Sequence, residues 1–301
     1  MYSYSHSTTV ATACLAFGLA AGPQGCVVDV GGSKYEAVRV EKRFAVSGVP
    51  DLALTTFDGA IEVRAWDRNE IAVEIEKRGA DRAEVDAIEV VAQQSGDRVS
   101  IDVRKPPRAN VVVQIGTSPS ARLVATVPRH CNLTARSGDG PVTIERLAGR
   151  IDADTGDGSI HASDVEGSFR GHTGDGSVRV VSLNGTADIE SGDGTVVLSG
   201  RLSKLRLRTG DGSVAVTLDA GSALEDDWEV RTGDGGITIG VPDAFAAELD
   251  ADAGSGRVQV DRAVADTGDE GHRSRLRANL GGGGKRFMVR TGDGSIVVKR
   301  S

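Results

Sequence analysis

Seven tetrapeptides of the form Ser/Thr-Gly-Asp-Gly carry the residues whose type and spacing could do chemistry in this chain. The aspartates of the first five copies fall 18 residues apart, and we call them the aspartate column: Asp139, Asp157, Asp175, Asp193 and Asp211. In a stack of strands this column would place carboxylates roughly 5 Å apart along one edge. Like charges that close need solvent, hydrogen bonds or a cation. The column therefore indicates either a calcium site or a turn that recurs in every repeat.

Calcium is the metal that such a column would bind, as in glycine-rich nonapeptide repeats. Ca²⁺ takes about six to eight oxygen ligands, however, and one aspartate per 18 residues supplies few of them. A turn needs only one aspartate per repeat. Each aspartate would accept hydrogen bonds from its own turn while the flanking glycines adopt positive φ. We predict turns, with no metal and no other cofactor. The calcium ladder is the alternative.

Cleavage of glycosidic bonds is the enzymatic alternative for a row of carboxylates. It needs two acidic groups in different environments, one of them a proton donor. A column repeated at equal spacing offers equal environments, so we predict no enzyme. The nearest approach to an irregular acidic site is Glu225-Asp226-Asp227 beside Trp228, although Trp228 could equally close the core.

Two further motifs do not fit the chemistry that they suggest. Gly281–Lys285 has the glycines and lysine of a phosphate-binding loop, but Asn279 replaces its leading glycine and Arg286 its Mg²⁺-binding hydroxyl residue. His130 and Cys131 are neighbours, and neighbours on a strand point to opposite faces. We predict neither a nucleotide site nor a nucleophilic cysteine.

The elements that must position these residues are short strands. Counting the Ser or Thr as column one, columns six and eight of each repeat are apolar, for example Val178 and Val180, with Arg179 between them. Residues two apart in a strand share a face, so each repeat has an inward pair. An antiparallel meander or propeller would fit this pattern. A β-solenoid, single-stranded and β-helix-like with 18-residue rungs, also explains why every column keeps one chemical type.

The N-terminus predicts export. Residues 1–25 contain no Lys, Arg, Asp or Glu, and their apolar run is the length of a signal-peptide core, too short to span a bilayer. Cys26 then follows Gly25 as in bacterial lipoprotein signals, which makes Cys26 the candidate for lipid attachment. A tether over 26–37 would follow, then an N-terminal β region over 38–130 that could include the first rungs, and the solenoid repeats over 131–301.

Charge and composition restrict the partners. The net charge is −8, from 35 Lys and Arg against 43 Asp and Glu, with no long basic run. A nucleic-acid partner is therefore not expected. Membrane contact would come only through a lipid on Cys26.

The chain also resembles a known bacterial family. The TGDGSV-like units, the upstream segment VSGVPDLALTTFDGAIEVRAWD and the ending LGGGGKRFMVRTGDGSIVV are similar to domain of unknown function 4097, a family labelled "putative adhesin". The likeness covers about Val38 to Lys299 and implies a β-helix-like stack in an exported protein, with no catalytic residues to carry over. We therefore expect an envelope or surface protein that binds or scaffolds an unknown protein or glycan. The alternative is a calcium-dependent or carbohydrate-acting β-helix protein.

Overall fold

The computed structural model of the chain describes residues 27–29, 36–105, 118–261, 264 and 274–301. The predicted signal peptide (1–25) and Cys26 lie outside the described residues, so export and lipid attachment stay predictions. In the part that the structure describes, the fold is all-β, with one short helix, α1 (Arg82–Asp86).

The strands fall into two groups along the chain. Those before the repeats are β1 (Val27–Asp29), β2 (Glu36–Ala45), β3 (Asp51–Thr56), β4 (Ile61–Trp66), β5 (Glu70–Gly79), β6 (Glu89–Ser95), β7 (Arg98–Arg104) and β8 (Ser120–Pro128). Those of the repeats are β9 (Asn132–Ser137), β10 (Val142–Glu145), β11 (Ala148–Thr155), β12 (Ile160–Thr173), β13 (Val178–Ser191), β14 (Val196–Thr209), β15 (Val214–Leu218), β16 (Trp228–Arg231), β17 (Ile237–Val241), β18 (Ala247–Asp252), β19 (Val258–Val260), β20 (Arg275–Leu280), β21 (Arg286–Arg290) and β22 (Ile296–Arg300).

The strands stack into two ladders that face each other across the core, a β-solenoid-like arrangement. The first ladder runs β5, β8, β4, β10, β12, β13, β14, β15, β17, β22, β19. The second runs β6, β7, β3, β9, β11, β12, β13, β14, β16, β21, β18, β20. The long strands β12, β13 and β14 contribute to both ladders. The pairing between repeats is parallel, which excludes the antiparallel meander.

Within the five evenly spaced repeats, most paired residues lie 18 positions apart, although Leu183 to Gly185 pair with Gly200 to Leu202, 17 positions later, at a register shift in β14. Val178 pairs with Ile160 on one side and with Val196 on the other. The side chains of Val178 and Val180 are fully buried, while Arg179 is exposed. The period-two pattern of the sequence therefore predicted the inward and outward faces correctly.

Two bends close each rung. One is the Gly-Asp-Gly corner, and the other lies where the chain passes from the first ladder to the second. At the second bend a polar residue adopts the left-handed region, as at Arg146 (φ 56°), Asp164 (φ 53°) and Ser182 (φ 58°). A glycine with positive φ follows three residues later, for example Gly167 (φ 110°).

The order of strands in the stack departs from chain order at both ends. β3 lies between β7 and β9, and β4 lies between β8 and β10. At the other end, β21 and β22 are inserted between the β16/β17 rung and the β18/β19 rung. Antiparallel pairs occur only near the ends, β1–β2, β2–β5, β5–β8 and β6–β7 at one end and β18–β20 at the other, among the described strands.

The tether predicted over residues 26–37 is partly wrong. Val27–Asp29 forms β1, which pairs antiparallel with β2 so that Val27 lies opposite Val40. Residues 36 and 37 already belong to β2. Val27 to Asp29 have hydrogen-bonding partners on β2, and the chain after Cys26 therefore joins the sheet almost at once.

Candidate functional site

The Gly-Asp-Gly corners form one edge of the stack, and a buried hydroxyl anchors each of them. Thr173 is fully buried, and its Oγ1 donates to Gly158 O of the preceding rung at 2.8 Å. The same oxygen accepts from Gly176 N of its own turn at 3.2 Å. The Ser or Thr of every other copy makes the equivalent bond to the rung before it: Ser137, Thr155, Ser191, Thr209, Thr232 and Thr291. The hydroxyl column therefore links successive rungs inside the protein.

The glycines of the corners are required by close stacking and not by positive φ. None of the glycines in the seven copies lies in the left-handed region, so the sequence prediction of positive φ is wrong. A Cβ placed on Gly176 would lie 2.6 Å from the carbonyl carbon of Gly158 and 2.7 Å from Thr173 Oγ1. The backbones of successive corners thus approach too closely for any side chain.

The aspartates are exposed and point along the stack. Asp193 Oδ1 accepts from Asp211 N of the following rung at 3.4 Å. The prediction that each aspartate accepts from its own turn is therefore wrong, because the column-one hydroxyl takes that role at Ser137, Thr173 and Thr291.

Calcium binding by the aspartate column is not supported by a ligand cluster. In the ranges that the structure describes, no three His, Cys, Asp or Glu side chains group together as metal ligands. The calcium ladder over Asp139, Asp157, Asp175, Asp193 and Asp211 was the alternative prediction, and it remains untested.

The outward face of the second ladder carries charges whose sign alternates from strand to strand. We call one set the alternating row, which consists of Asp152, Arg170, Asp188, Arg206 and Glu229 on five successive strands. Arg170 Nη2 lies 2.9 Å from Asp188 Oδ2. Opposite charges on neighbouring strands attract, whereas like charges directly opposite would repel. This face therefore stabilises the parallel register and presents both signs of charge to solvent.

The outward face of the first ladder is different in its middle. There the row that begins with Arg179 continues through small uncharged side chains on successive strands, namely Val197, Ala215, Thr238 and Val297. The molecule thus has one charged face, one face with an uncharged centre and one acidic edge.

This arrangement agrees with a family model named Toastrack DUF4097, which matches residues 49–299. The chain belongs to the Toastrack family. The resemblance read from the repeats and the flanking segments is thereby confirmed. No curated protein matches the chain.

Three solved structures match the chain at low sequence identity. A "putative cell adhesion protein" of Clostridium sporogenes is 13% identical, with 87% of this chain and 99% of that chain covered and a TM-score of 0.27. A "putative adhesin" of Bacteroides fragilis is 11% identical, with 86% and 96% covered and a TM-score of 0.38. A "putative lipid binding protein" of Parabacteroides distasonis is 12% identical, with 87% and 97% covered and a TM-score of 0.44.

The acidic segment before Trp228 is taken up by local contacts in this Toastrack chain. Trp228 is fully buried and packs against the rings of Phe245 and Phe287, each at 5.6 Å between centroids. Asp226 forms an ion pair with Lys204, and Asp227 Oδ1 accepts from Arg286 N at 3.0 Å. The tryptophan therefore completes the core, and both aspartates serve local contacts.

The two remaining motifs are structural. Cys131 is fully buried, and burial raises the pKa of its thiol to about 12, while its neighbour His130 is exposed. A thiol with so high a pKa is a poor nucleophile. Gly281–Lys285 joins the antiparallel strand β20 to β21, and Gly281, Gly283 and Gly284 all have positive φ. It is a tight turn.

The second ladder carries an open, polar depression. Its volume is about 380 Å³, and it is lined by charged residues that include Arg136, Asp154, Arg170 and Glu190. Small-molecule sites are usually concave and mostly apolar. Among the described residues, no helix is long and apolar enough to cross a membrane.

Sequence reasoning missed the hydroxyl column and the alternating row. The first had a clear signal, since column one of all seven copies is Ser or Thr. The second was also readable in part, because Asp152, Arg170, Asp188 and Arg206 are 18 residues apart and alternate in sign.

Proposed function

We propose that this chain is a non-catalytic, exported scaffold of the cell envelope that binds a surface or envelope partner, protein or glycan, through its flat outer faces. The observation that carries the proposal is that its polar residues fall into two sets, one buried and one exposed. In the repeats, buried hydroxyls and corner glycines are used for stacking, and most of the other polar side chains lie in exposed rows. Such rows suit an extended binding surface, which is how stacked-repeat proteins commonly bind.

Catalysis by the carboxylates is disfavoured by their uniformity. An acid and its partner base need unlike environments, whereas the aspartates of the column are all exposed at equivalent corners. We therefore propose binding without turnover. Incubation with the glycans that the protein retains on an array should release no new reducing ends, and any time-dependent release would refute the non-catalytic part of the proposal.

Attachment to the envelope would follow from a lipid on Cys26. Because β1 begins at Val27 and pairs with β2, an anchor at Cys26 would hold the N-terminal end of the stack close to the membrane. Two or three acyl chains give lasting membrane residence, which a single chain does not.

The test is to fractionate cells and to determine the mature N-terminus by mass spectrometry. We expect a lipidated Cys26 in the membrane fraction and a soluble exported protein after Cys26→Ser. An unmodified N-terminus elsewhere would refute the anchor, and retention of Met1 would refute export as well.

A further inference from the structure

Among the described strands of the second ladder, like charges lie directly opposite each other at one place, in a row next to the alternating row. Arg208, Arg231 and Arg290 are aligned in register on β14, β16 and β21, and we call them the arginine row. Neighbouring strands lie about 4.8 Å apart, so three guanidinium groups follow one another along the stack. In the alternating row, by contrast, every pair of neighbouring residues has opposite charges.

The central arginine of this row has no partner of its own. Arg208 Nη2 lies 2.7 Å from Glu229 Oε2, and Arg290 reaches Asp252 Oδ2 at 3.0 Å. The side chain of Arg231 is exposed and makes no ion pair or hydrogen bond within the described part of the chain, and the same holds for the nearby side chain of Arg206. Positive charge in the middle of the row is therefore uncompensated.

An acidic residue at position 231 would restore the alternation and would favour stacking, because opposite charges on neighbouring strands attract and like charges repel. A site that gives up stability in this way is typical of binding surfaces. Guanidinium groups also match carboxylates in a bidentate geometry that lysine cannot provide. The arginine row thus has the features of an anion-binding surface and not those of a structural one.

We propose that the arginine row binds an acidic polysaccharide whose carboxylates lie along the stack axis. Arg231 is the uncompensated cation, and it lies between Arg208 and Arg290, which are already paired with carboxylates. The three guanidinium groups form a line and not a broad patch, which suits an extended polyanion better than a flat membrane surface. Met288, half-buried on the same face two residues before Arg290, offers an apolar contact for a sugar ring. This inference rests on the proposed binding role and assigns that role a ligand class and a place.

The test compares the full mature chain with two charge-reversal variants, Arg231→Glu and Arg179→Glu. Arg179 is also exposed, lies on the opposite ladder and has no partner in the described ranges, so it controls for net charge. Binding to a polyuronate with one carboxylate per sugar, and to its neutral methyl ester, is measured by titration calorimetry at two salt concentrations.

We expect polyuronate binding that weakens with salt, no binding of the methyl ester, and a loss of at least tenfold in Arg231→Glu but not in Arg179→Glu. The melting temperature of Arg231→Glu should equal or exceed that of the wild type, whereas a structural role for Arg231 would lower it. Arg231→Gln provides a second variant if the glutamate disturbs folding.

Three results would overturn the inference. Binding by Arg231→Glu within twofold of wild type would remove the arginine row from the site. Binding to anionic phospholipid vesicles but not to polyuronate, with the same dependence on Arg231, would assign the row to a membrane surface. Absence of polyuronate binding by the wild type would refute this ligand class while leaving the proposed scaffold role to its own tests of export and attachment.

Discussion

Replacement of Gly176 by alanine tests whether close stacking, and not backbone conformation, makes the corner glycines necessary. The added Cβ would lie 2.6 Å from the carbonyl carbon of Gly158 in the rung below. A rotamer change cannot relieve this contact, since the position of an alanine Cβ is fixed by the backbone and the carbonyl of Gly158 is itself backbone. The carbonyl of Gly176 is itself held by the hydroxyl of Ser191 at 3.1 Å, so the corner cannot simply shift upward.

The expected cost exceeds that of ordinary overpacking. Extra methylene groups in a packed core typically cost about 1–3 kcal/mol when side chains can adjust. Here two rungs must separate and the bond from Gly176 N to Thr173 Oγ1 is strained, so we expect a loss of about 3 kcal/mol or more. For a domain of about 200 residues, that corresponds to a fall in melting temperature of roughly 6–12 °C.

The assay is urea and thermal unfolding followed by circular dichroism, with Gly282→Ala as the matched control. A Cβ on Gly282 would meet no atom within 4 Å and its φ is not positive, so its substitution should change the free energy of unfolding by less than about 0.5 kcal/mol. If Gly176→Ala unfolds within about 0.5 kcal/mol of the wild type, the corners do not stack as closely as described, and the argument fails.

Three further predictions concern the core, the hydroxyl column and the buried thiol. Val180→Asp buries an unpaired carboxylate and should cost more than about 3 kcal/mol, whereas Arg179→Asp should be nearly neutral; equal effects in unfolding titrations would contradict the assigned strand faces. Thr173→Val leaves the carbonyl of Gly158 without its donor and should cost about 1–3 kcal/mol, while Thr173→Ser should retain most of the stability. Cys131 should resist iodoacetamide at pH 8 in the native chain and react after denaturation, as read by peptide mass spectrometry; rapid native labelling would contradict its burial.

The sequence predicted the repeating part of the fold because in-register stacking leaves a direct signal. Val178 pairs with Ile160 and Val196, so every inward position must suit the same layer of the core as its neighbours 18 residues away. That constraint fixes residue type column by column. It also made the inward and outward faces of each strand predictable from the period of two alone.

The order of rungs at the two ends could not be predicted in the same way. Parallel pairing of β21 with β16 and β18 depends on matching apolar columns, and these columns are alike in all rungs. Any rung can therefore occupy any level of the stack as far as local pattern is concerned. The arginine row was unpredictable for this reason, because Arg208, Arg231 and Arg290 are neighbours only through the actual stacking order.

The prediction of positive φ at the corner glycines was wrong for a physical reason. Glycine serves both positive φ and close approach, and composition cannot distinguish the two. At Gly167 the first need applies as well, with φ 110°, whereas at Gly176 only the second applies. Column one contained the signal that distinguishes close approach from positive φ. Its buried hydroxyl, as at Thr173, donates to the carbonyl of the preceding rung, and this bond forms only when successive corners lie close together.

Parallel in-register stacking also explains where specific binding can evolve in this molecule. Inward columns and corners are constrained to repeat, because a change in one rung is felt by both neighbours. Outward positions are constrained only by the charge on adjacent strands, which the alternating row satisfies by changing sign from Asp152 to Arg170 to Asp188. Residues of like charge on consecutive strands of this face are therefore unfavourable for stacking, and their presence calls for a reason other than stability. On the second ladder the run of like charge with no partner at its centre is the one around Arg231, and the experiments on that residue separate a binding role from a structural one.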